Sequence, residues 1–136
     1  GEERLASRIA KSIKEMTTMN TIADLREAIR RCTPPNHRDR TFARIFQALR
    51  IAVNQELGIL QQFLAKFIDF LRPGGRIVII SYHSLEDRLV KHSFKELASG
   101  GTLNILTKRP ITATEKERKN NRRARSAKLR AAVKVT

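Results

Sequence analysis

The residues best placed for binding or catalysis follow a short apolar run in the second half of the chain. This run, Ile77-Val78-Ile79-Ile80, consists of four β-branched residues and is typical of a strand buried on both faces of a parallel sheet. Open α/β sheets bind their ligands at the carboxyl ends of the strands. We therefore expect Ser81, His83 and Ser84, which come directly after the run, to lie at the edge of an active site as candidate catalytic residues.

Two roles are open for His83. It can hydrogen-bond to a substrate or to the loop that shapes its pocket, or it can bond to the backbone at the start of the next helix. Ser84 and Asp87 have the spacing of an N-cap residue and its partner, so Ser84 is predicted to cap that helix. Glu86 and Asp87 then fall in the first turn, where the helix dipole favours negative charge. Arg88 can pair with either carboxylate or reach a nucleic acid.

The charge balance indicates a polyanionic partner. The chain has 28 Lys and Arg residues against 13 Asp and Glu residues, a net charge of +15 and a pI near 11.2. There is no Trp, and aromatic residues make up 5% of the chain, so phosphate contacts would outweigh stacking on bases. The alternative is that the excess charge serves solubility alone.

The densest basic cluster lies near the C-terminus. Residues 105–136 hold eleven Lys and Arg residues but only two Asp and Glu residues. We expect phosphate contacts from this cluster, with a solvated loop as the alternative. Its members are Lys108, Arg109, Arg122, Arg123, Arg125, Lys128 and Arg130.

Composition argues against several other classes of protein. The single cysteine, Cys32, excludes an internal disulfide and a cysteine metal cluster, and His37, His83 and His92 are scattered, so no metal site is predicted. No run of 18 apolar residues occurs, and the first residues lack the order of a signal peptide. We therefore expect a cytoplasmic protein that does not enter a membrane.

Helical periodicity dominates the first half of the chain. It predicts an amphipathic helix over residues 2–16 and a second helix that is capped by Thr21 and ended by Pro34-Pro35. These two helices are expected to form a hairpin. A longer apolar stripe follows over residues 42–71 and weakens at Gly58, which indicates two helices or one bent helix.

The second half alternates strands and helices. The turn Leu71-Arg72-Pro73-Gly74-Gly75-Arg76 ends the apolar helix and leads into the β-branched strand, which a further helix follows. Residues 103–108 and 128–135 are predicted to be strands that can pair antiparallel. The segment 109–125 between them is polar and basic, and a loop of this length is either functional or disordered.

Two motifs carry a family resemblance. Arg72-Pro73-Gly74-Gly75-Arg76 and Ser81-Tyr82-His83-Ser84-Leu85-Glu86-Asp87-Arg88 resemble the signature of the MraW-type small-subunit ribosomal RNA cytosine-N4 methyltransferases. Gly1-Glu2-Glu3-Arg4, residues 46–57 and residues 124–130 agree as well, in the family's order. The resemblance therefore covers nearly the whole chain.

The resemblance implies an α/β fold. It is the C-terminal part of a Rossmann-like methyltransferase, with the last three strands and a final antiparallel hairpin, preceded by part of an inserted helical domain. Residues 1–40 would belong to the helical domain and residues 41–136 to the methyltransferase domain. Tyr82 stands where Phe is usual and Arg122-Arg123 where Pro-Arg is typical, and neither departure removes a candidate catalytic group.

The resemblance also implies S-adenosylmethionine as the cofactor. Family members hold it with a glycine-rich loop after the first strand and an acidic residue after the second, and neither is present here. The glycine pairs Gly74-Gly75 and Gly100-Gly101 lie at helix ends instead. We therefore expect no cofactor-binding residue in this chain, a cofactor bound mainly by a missing N-terminal half, and an inactive isolated chain.

The implied reaction is methylation of the N4 amine of a cytidine in small-subunit ribosomal RNA. It needs an aligned acceptor, polar groups that accept the amino hydrogens and a base turned out of its stack. Gln47, Arg50 and Asn54 are spaced by three and four and so share a helix face, which we expect to meet the substrate or the cofactor-side domain unless it is simply solvated. The expected partner is the ribosomal RNA or the ribosomal subunit.

Two other functions compete with this interpretation. One is a non-catalytic RNA-binding module derived from such an enzyme, and the other is a structural fragment that only associates with a partner. A sheet that lacks its first strands would also expose apolar faces and an open edge. We therefore expect self-association or domain exchange of the isolated chain.

Overall fold

A computed structural model describes residues 3–135, in which helices occupy most of the first half and strands appear in the second. The helices are α1 (Ala6–Lys14), α2 (Ile22–Cys32), α3 (Arg38–Asn54), α4 (Glu56–Lys66), α5 (Ser84–Ser99) and α6 (Glu115–Asn120). The strands are β1 (Arg76–Ser81), β2 (Leu103–Ile105), β3 (Ile111–Thr112) and β4 (Lys128–Lys134). Short 3-10 segments lie at Pro35–His37, Phe67–Phe70 and Arg122–Ser126.

The chain divides into two compact units between Gln55 and Glu56. The sequence resemblance predicts an earlier domain boundary, between residues 40 and 41. The observed division falls later because Phe42 of α3 packs in one core with Ile9 and Ile29, which keeps the whole of α3 in the first unit. The assignment of the two units to an inserted domain and a methyltransferase domain stays a prediction.

The first unit begins with the predicted hairpin of α1 and α2. The Thr21 hydroxyl accepts the Asp24 backbone N–H at 3.2 Å, and the Asp24 carboxylate accepts the Thr21 N–H at 2.9 Å, which confirms the predicted cap. A hydrogen bond from the Thr21 side chain and those from the backbone N–H groups of Asn20 and Thr21 hold the pKa of the Asp24 carboxyl below its usual value. The first helix is shorter than the predicted span of residues 2–16, of which Glu2 lies outside the described residues.

The long apolar stripe forms two helices, α3 and α4. They are separated at Gln55, whose φ of 52° is left-handed, rather than at Gly58, where the sequence pattern weakens. A left-handed residue after the last helical turn ends a helix by preventing its hydrogen bonds from continuing. Gly58 lies inside α4 and is tolerated there, since a single glycine costs a helix only about 1 kcal/mol.

The sheet of the second unit is built around β4, which pairs antiparallel with β1, β2 and β3. The predicted antiparallel pairing of residues 103–108 with the last strand is thus confirmed, with Asn104 opposite Val133. The strand from 103 is shorter than predicted and ends at Ile105. The core beneath the sheet joins α4, α5 and the 3-10 segment Phe67–Phe70. Its buried residues include Phe67, Val90, Phe94, Leu103 and Ala132.

The prediction that β1 is buried on both faces is wrong for the described residues. Ile77 is buried and Ile79 packs on the core, but Val78 is 57% exposed and Ile80 is 50% exposed. Side chains alternate along a strand, and within the second unit α4 and α5 pack on the core side of the sheet. The described residues leave the other side chains of β1 largely exposed.

The basic segment 109–125 contains secondary structure of its own. It contains β3, α6 and the 3-10 segment Arg122–Ser126, whose Ala124 is buried. Within residues 3–135 no helix combines the length and the apolar character that a membrane crossing requires.

Candidate functional site

The strand-end loop, which we define as Ser81, Tyr82 and His83, connects β1 to α5. Ser81 is the last residue of β1 and is buried, Tyr82 is half exposed, and His83 is 9% exposed. Ser84 is the first residue of α5. The three candidate catalytic residues therefore lie together at the carboxyl end of β1.

A reciprocal capping box fixes the strand-end loop to α5. His83 Nδ1 accepts the backbone N–H of Glu86 at 3.3 Å, and Glu86 Oε2 accepts the backbone N–H groups of Tyr82 at 2.8 Å and His83 at 3.3 Å. The prediction that Ser84 caps the helix is wrong, because His83 has the extended backbone of an N-cap (φ −142°, ψ 165°) and Ser84 is already helical. His83 thus has the helix-start role that the sequence left open.

The second ring nitrogen of His83 lies beside the Glu86 carboxylate. Nε2 is buried and has no hydrogen-bond partner within residues 3–135, and it lies 3.4 Å from Glu86 Oε1. Glu56, His83 and Glu86 bring one potential ligand atom each to within 4.8 Å of one another. Because Nδ1 already accepts a hydrogen bond, the neutral ring carries its proton on Nε2. This arrangement suits a hydrogen-bond donor beside the Glu86 carboxylate better than a metal ligand.

A buried ion pair joins α5 to β4 next to this loop. Arg130 donates from Nε to Asp87 Oδ1 at 2.7 Å and from Nη2 to Oδ2 at 3.2 Å, and Lys128 Nζ lies 3.7 Å from Oδ2. Burial by itself raises the pKa of the Asp87 carboxyl. The hydrogen bonds and charge of Arg130, together with Lys128, outweigh burial, so the pKa lies below its ordinary value. Asp87 is therefore ionised and paired at neutral pH.

The basic side chains of β4 are engaged inside the unit, which corrects the prediction that Arg130 contacts phosphate. Arg130 is 7% exposed and bound to Asp87, and Lys134 Nζ donates to the carbonyls of Ile68 and Leu71 at 3.1 and 2.9 Å. The residues alternate along the strand, so Lys128, Arg130 and Lys134 share the face of the buried Ala132. Lys128 retains partial exposure, 36% of its side chain, beside its contact with Asp87.

The other members of the C-terminal basic cluster are exposed. Lys108 and Arg109 lie in the connection from β2 to β3, and the arginines of the 3-10 segment precede β4. The Asn121 side chain accepts the Arg123 N–H at 3.1 Å, which fixes the start of the 3-10 segment. Within residues 3–135 no acidic side chain pairs with the exposed members, which are Lys108, Arg109, Arg122, Arg123 and Arg125.

The remaining predicted residues lie on two helices. Gln47, Arg50 and Asn54 are all on α3, where Gln47 is half-buried and the other two are exposed. Arg88 is exposed on the first turns of α5. Their substrate contacts stay a prediction.

The two glycine pairs of the described residues lie in a turn and at a helix end and do not form a cofactor cradle, and Gly58 lies inside α4. Gly74 has a φ of 76°, and a Cβ on Gly75 would lie 2.7 Å from the Arg72 carbonyl oxygen, so both are required by the turn before β1. Gly100 and Gly101 end α5. The turn that follows β1, where a nucleoside-binding fold would need close backbone approach, contains no glycine. The residues present therefore do not fit a cradle for S-adenosylmethionine.

The sequence predicts the position of the strand-end loop but not the side-chain contacts around it. Glu86 and Asp87 were explained by the helix dipole, whereas Glu86 holds the strand-end loop and Asp87 holds Arg130. The spacing of His83 and Glu86, which is that of a capping box, was a usable signal for the first contact. Glu56 and Arg130 had no comparable signal, because both are distant in sequence from their neighbours.

The chain was compared with known proteins. The model of the MraW methylase family matches residues 1–135. Three relatives named ribosomal RNA small subunit methyltransferase H are similar: the Synechocystis protein is 51% identical over 99% of this chain, the Trichormus variabilis protein 54% over 98%, and the Kosmotoga olearia protein 51% over 98%. The chain spans 44%, 44% and 46% of their lengths, respectively, which is less than half of each.

Proposed function

Because the chain belongs to the MraW methylase family, we propose that it is part of an S-adenosylmethionine-dependent methyltransferase that methylates the N4 amine of a cytidine in small-subunit ribosomal RNA. The observation that supports this most is the match of the family to residues 1–135, with relatives named for small-subunit ribosomal RNA at about half identity. The family assignment made from the two sequence motifs is confirmed. The reaction and its RNA substrate are the proposal.

The cofactor-binding half of the enzyme is proposed to lie outside this chain. Two observations support this: the described glycines do not form a cofactor cradle, and β1 is an edge strand with half-exposed Val78 and Ile80. Further parallel strands beside β1 would complete a Rossmann-like sheet, and their crossover helices would cover these side chains. S-adenosylmethionine would then be the methyl donor without being held by the residues described.

The strand-end loop is proposed to meet the cytosine base. The N4 lone pair is delocalised into the ring, so the amine needs hydrogen-bond acceptors that favour its developing positive charge. The Glu86 carboxylate lies beside His83 Nε2, and Glu56 brings a carboxylate oxygen to within 4.8 Å of potential ligand atoms of both residues. Ser81 ends β1 in the same loop, and Ser84 follows His83. The capping box holds this loop rigidly, which favours a fixed orientation of the base.

The exposed cations of the C-terminal basic cluster are proposed to bind RNA phosphates. Phosphate contacts position an RNA without reading its sequence, which suits a segment that has few aromatic side chains. A substrate in the small ribosomal subunit also makes a cytoplasmic location the expected one.

The test is methylation of isolated small ribosomal subunits by the complete protein that contains this chain, in the presence of S-adenosylmethionine. Mass spectrometry of the digested RNA should detect N4-methylcytidine, and the 136-residue chain alone should produce none. Methylation at another atom, or its absence with the complete protein, would refute the proposal. Binding of the subunit without methylation would favour the non-catalytic RNA-binding module instead.

A further inference from the structure

A groove in the first compact unit is lined by seven arginines. It has a volume of about 800 Å³ and lies between the segment that begins α1, the end of α2 and the start of α3. The lining arginines are Arg4, Arg8, Arg30, Arg31, Arg38, Arg40 and Arg44. None of them belongs to the C-terminal basic cluster, which lies in the second unit.

The groove has a large excess of positive charge. Its one acidic lining residue is Glu3, which lies 3.3 Å from Arg44. Glu27 is outside the lining and makes only exposed contacts, at 4.0 Å with Arg30 and 3.6 Å with Arg31. Within the part of the chain that the structure describes, Arg4, Arg8 and Arg40 have no acidic partner. The groove therefore retains several cations for a ligand.

The arrangement is unfavourable for the stability of the free unit. Arg40 and Arg44 are four residues apart on α3, and Arg4 lies just before α1, whose third residue is Arg8. Like charges four residues apart on a helix repel each other. Only Arg30 and Arg31 have a local explanation, since cations are favoured in the last turn of a helix. A bound polyanion would remove this repulsion.

The helices α1 and α2, which carry or adjoin four of the lining arginines, are fixed to each other. Ile9 and Ile29 are fully buried in one core, the Ser12 hydroxyl donates to the Ala28 carbonyl at 2.9 Å, and Cys32 Sγ donates to the Arg8 carbonyl at 3.4 Å. These contacts lock α1 to α2. The arginines therefore stand on a preformed surface, which lowers the entropy cost of binding a ligand.

A second observation indicates an unfilled polar site. Thr33, which lines the groove, is 3% exposed, and its Oγ1 has no hydrogen-bond partner within residues 3–135. A buried hydroxyl without a partner is unfavourable, because it has lost its hydrogen bonds to water. A phosphate oxygen that reached it would accept this hydrogen bond.

We propose that this arginine groove binds consecutive backbone phosphates of the RNA substrate. The inference rests on the proposed function for the identity of the RNA. Guanidinium groups bind phosphate in a bidentate manner, and the volume exceeds that of one phosphate group. The lining contains no Phe, Tyr or Trp, so the groove offers charge without a platform for stacking bases. Binding should therefore depend steeply on salt and little on sequence.

The test compares the 136-residue chain with the variant Arg8→Ala/Arg40→Ala, which removes unpaired cations from two walls of the groove. A 12-nucleotide oligouridylate is titrated by fluorescence anisotropy between 50 and 300 mM salt. The variant should bind about tenfold more weakly at 50 mM salt, and the slope of log affinity against log salt should fall by about 1.4, or 0.7 for each lost phosphate contact. The matched control is Lys14→Ala/Lys66→Ala, which removes two exposed cations outside the groove.

A charge-preserving variant keeps the test decisive. Arg8→Lys/Arg40→Lys should retain the salt slope, and circular dichroism should show the wild-type helix content in every variant. If the alanine variant had the same affinity and salt slope as the control, the proposal that the groove binds RNA phosphates would be wrong. Inorganic phosphate at the same ionic strength should compete weakly, and a binding site for free phosphate alone would show no loss of oligouridylate affinity. These outcomes are independent of N4-methylcytidine formation, so failure of the proposed function is seen separately.

Discussion

Arg130 of β4 forms a bidentate, buried ion pair with Asp87 of α5, three residues beyond the start of that helix. The pair ties the last strand to the helix that carries the strand-end loop. It therefore connects a residue of the C-terminal basic cluster to the geometry of the candidate active site rather than to RNA.

The ion pair predicts a large loss of stability when it is broken from one side. Arg130→Met leaves a buried carboxylate with only Lys128 beside it, and the free energy of unfolding should fall by about 3–5 kcal/mol. Replacing both residues, with Asp87→Leu and Arg130→Met, should restore most of the loss, since no charge is then left unpaired. Urea denaturation measures both.

The control for this prediction is an exposed pair. Arg31→Ala removes the contact with Glu27 and should change the free energy of unfolding by less than about 1 kcal/mol. If Arg130→Met cost no more than Arg31→Ala, the buried pair would not stabilise the fold.

The lowered pKa of Asp87 predicts a dependence of stability on pH. In the unfolded chain this carboxyl titrates near its ordinary value of about 3.9, and in the folded protein it titrates lower because of Arg130 and Lys128. The stabilisation is therefore complete above that ordinary value and is lost as pH falls through the folded pKa. Asp87→Asn should show the greatest difference from wild type at neutral pH and a shrinking difference towards pH 3, measured by urea denaturation.

The other carboxyl groups are the same in the wild-type chain and in Asp87→Asn. The pKa values of Asp24 and Glu3 are also lowered, by hydrogen bonds from the backbone and neighbouring side chains, and their effects cancel in the difference. A difference that stays constant down to pH 3 would contradict the assignment to Asp87.

His83→Ala tests whether the strand-end loop acts on the base. In the complete enzyme we expect turnover to fall by about 100-fold while RNA affinity changes little, because the side chain is proposed to meet the reacting base. The loss of the cap should also lower stability by about 1 kcal/mol, which thermal unfolding measures separately. His92→Ala, on the exposed face of α5, is the control. Unaltered turnover would leave His83 with its capping role alone.

The exposed arginines of the 3-10 segment predict a second salt-dependent contribution to RNA binding. Arg123→Ala with Arg125→Ala should weaken binding across sequences and flatten the salt dependence by about 1.4 in slope for a single-stranded RNA. The same two-lysine control applies, Lys14→Ala with Lys66→Ala. Equal affinity of variant and wild type at low salt would remove both arginines from the interface.

The open strand predicts self-association of the isolated chain. β1 is an edge strand whose Val78 and Ile80 side chains are half exposed, a surface that favours pairing between copies or domain exchange. Ile80→Lys should shift the chain towards a monomer in light scattering, whereas Ile22→Lys, at an exposed site on α2, should not. A monodisperse wild-type monomer would contradict this prediction.

Features that depend on a few neighbouring residues were readable from the sequence. The cap of Thr21 and Asp24, the strand before the loop and the family motif around His83 each lie within a short segment, so their residue types and spacing suffice. Two local predictions were wrong by one to three residues, because a neighbouring residue gave a competing signal. Gly58 weakened the pattern, but the left-handed Gln55 breaks the helix, and Ser84 matched a cap that the extended backbone assigns to His83.

The tertiary structure alone decided which charged groups remain available. Arg130 finds Asp87 43 positions away, and the seven arginines of the groove come from three separate segments. Alternation along β4 shows that Lys128, Arg130 and Lys134 share a face, but only the packing of α5 determines that this face is buried. Charge can be counted from a sequence, whereas its pairing and desolvation depend on contacts between distant segments, which are formed only in the folded chain.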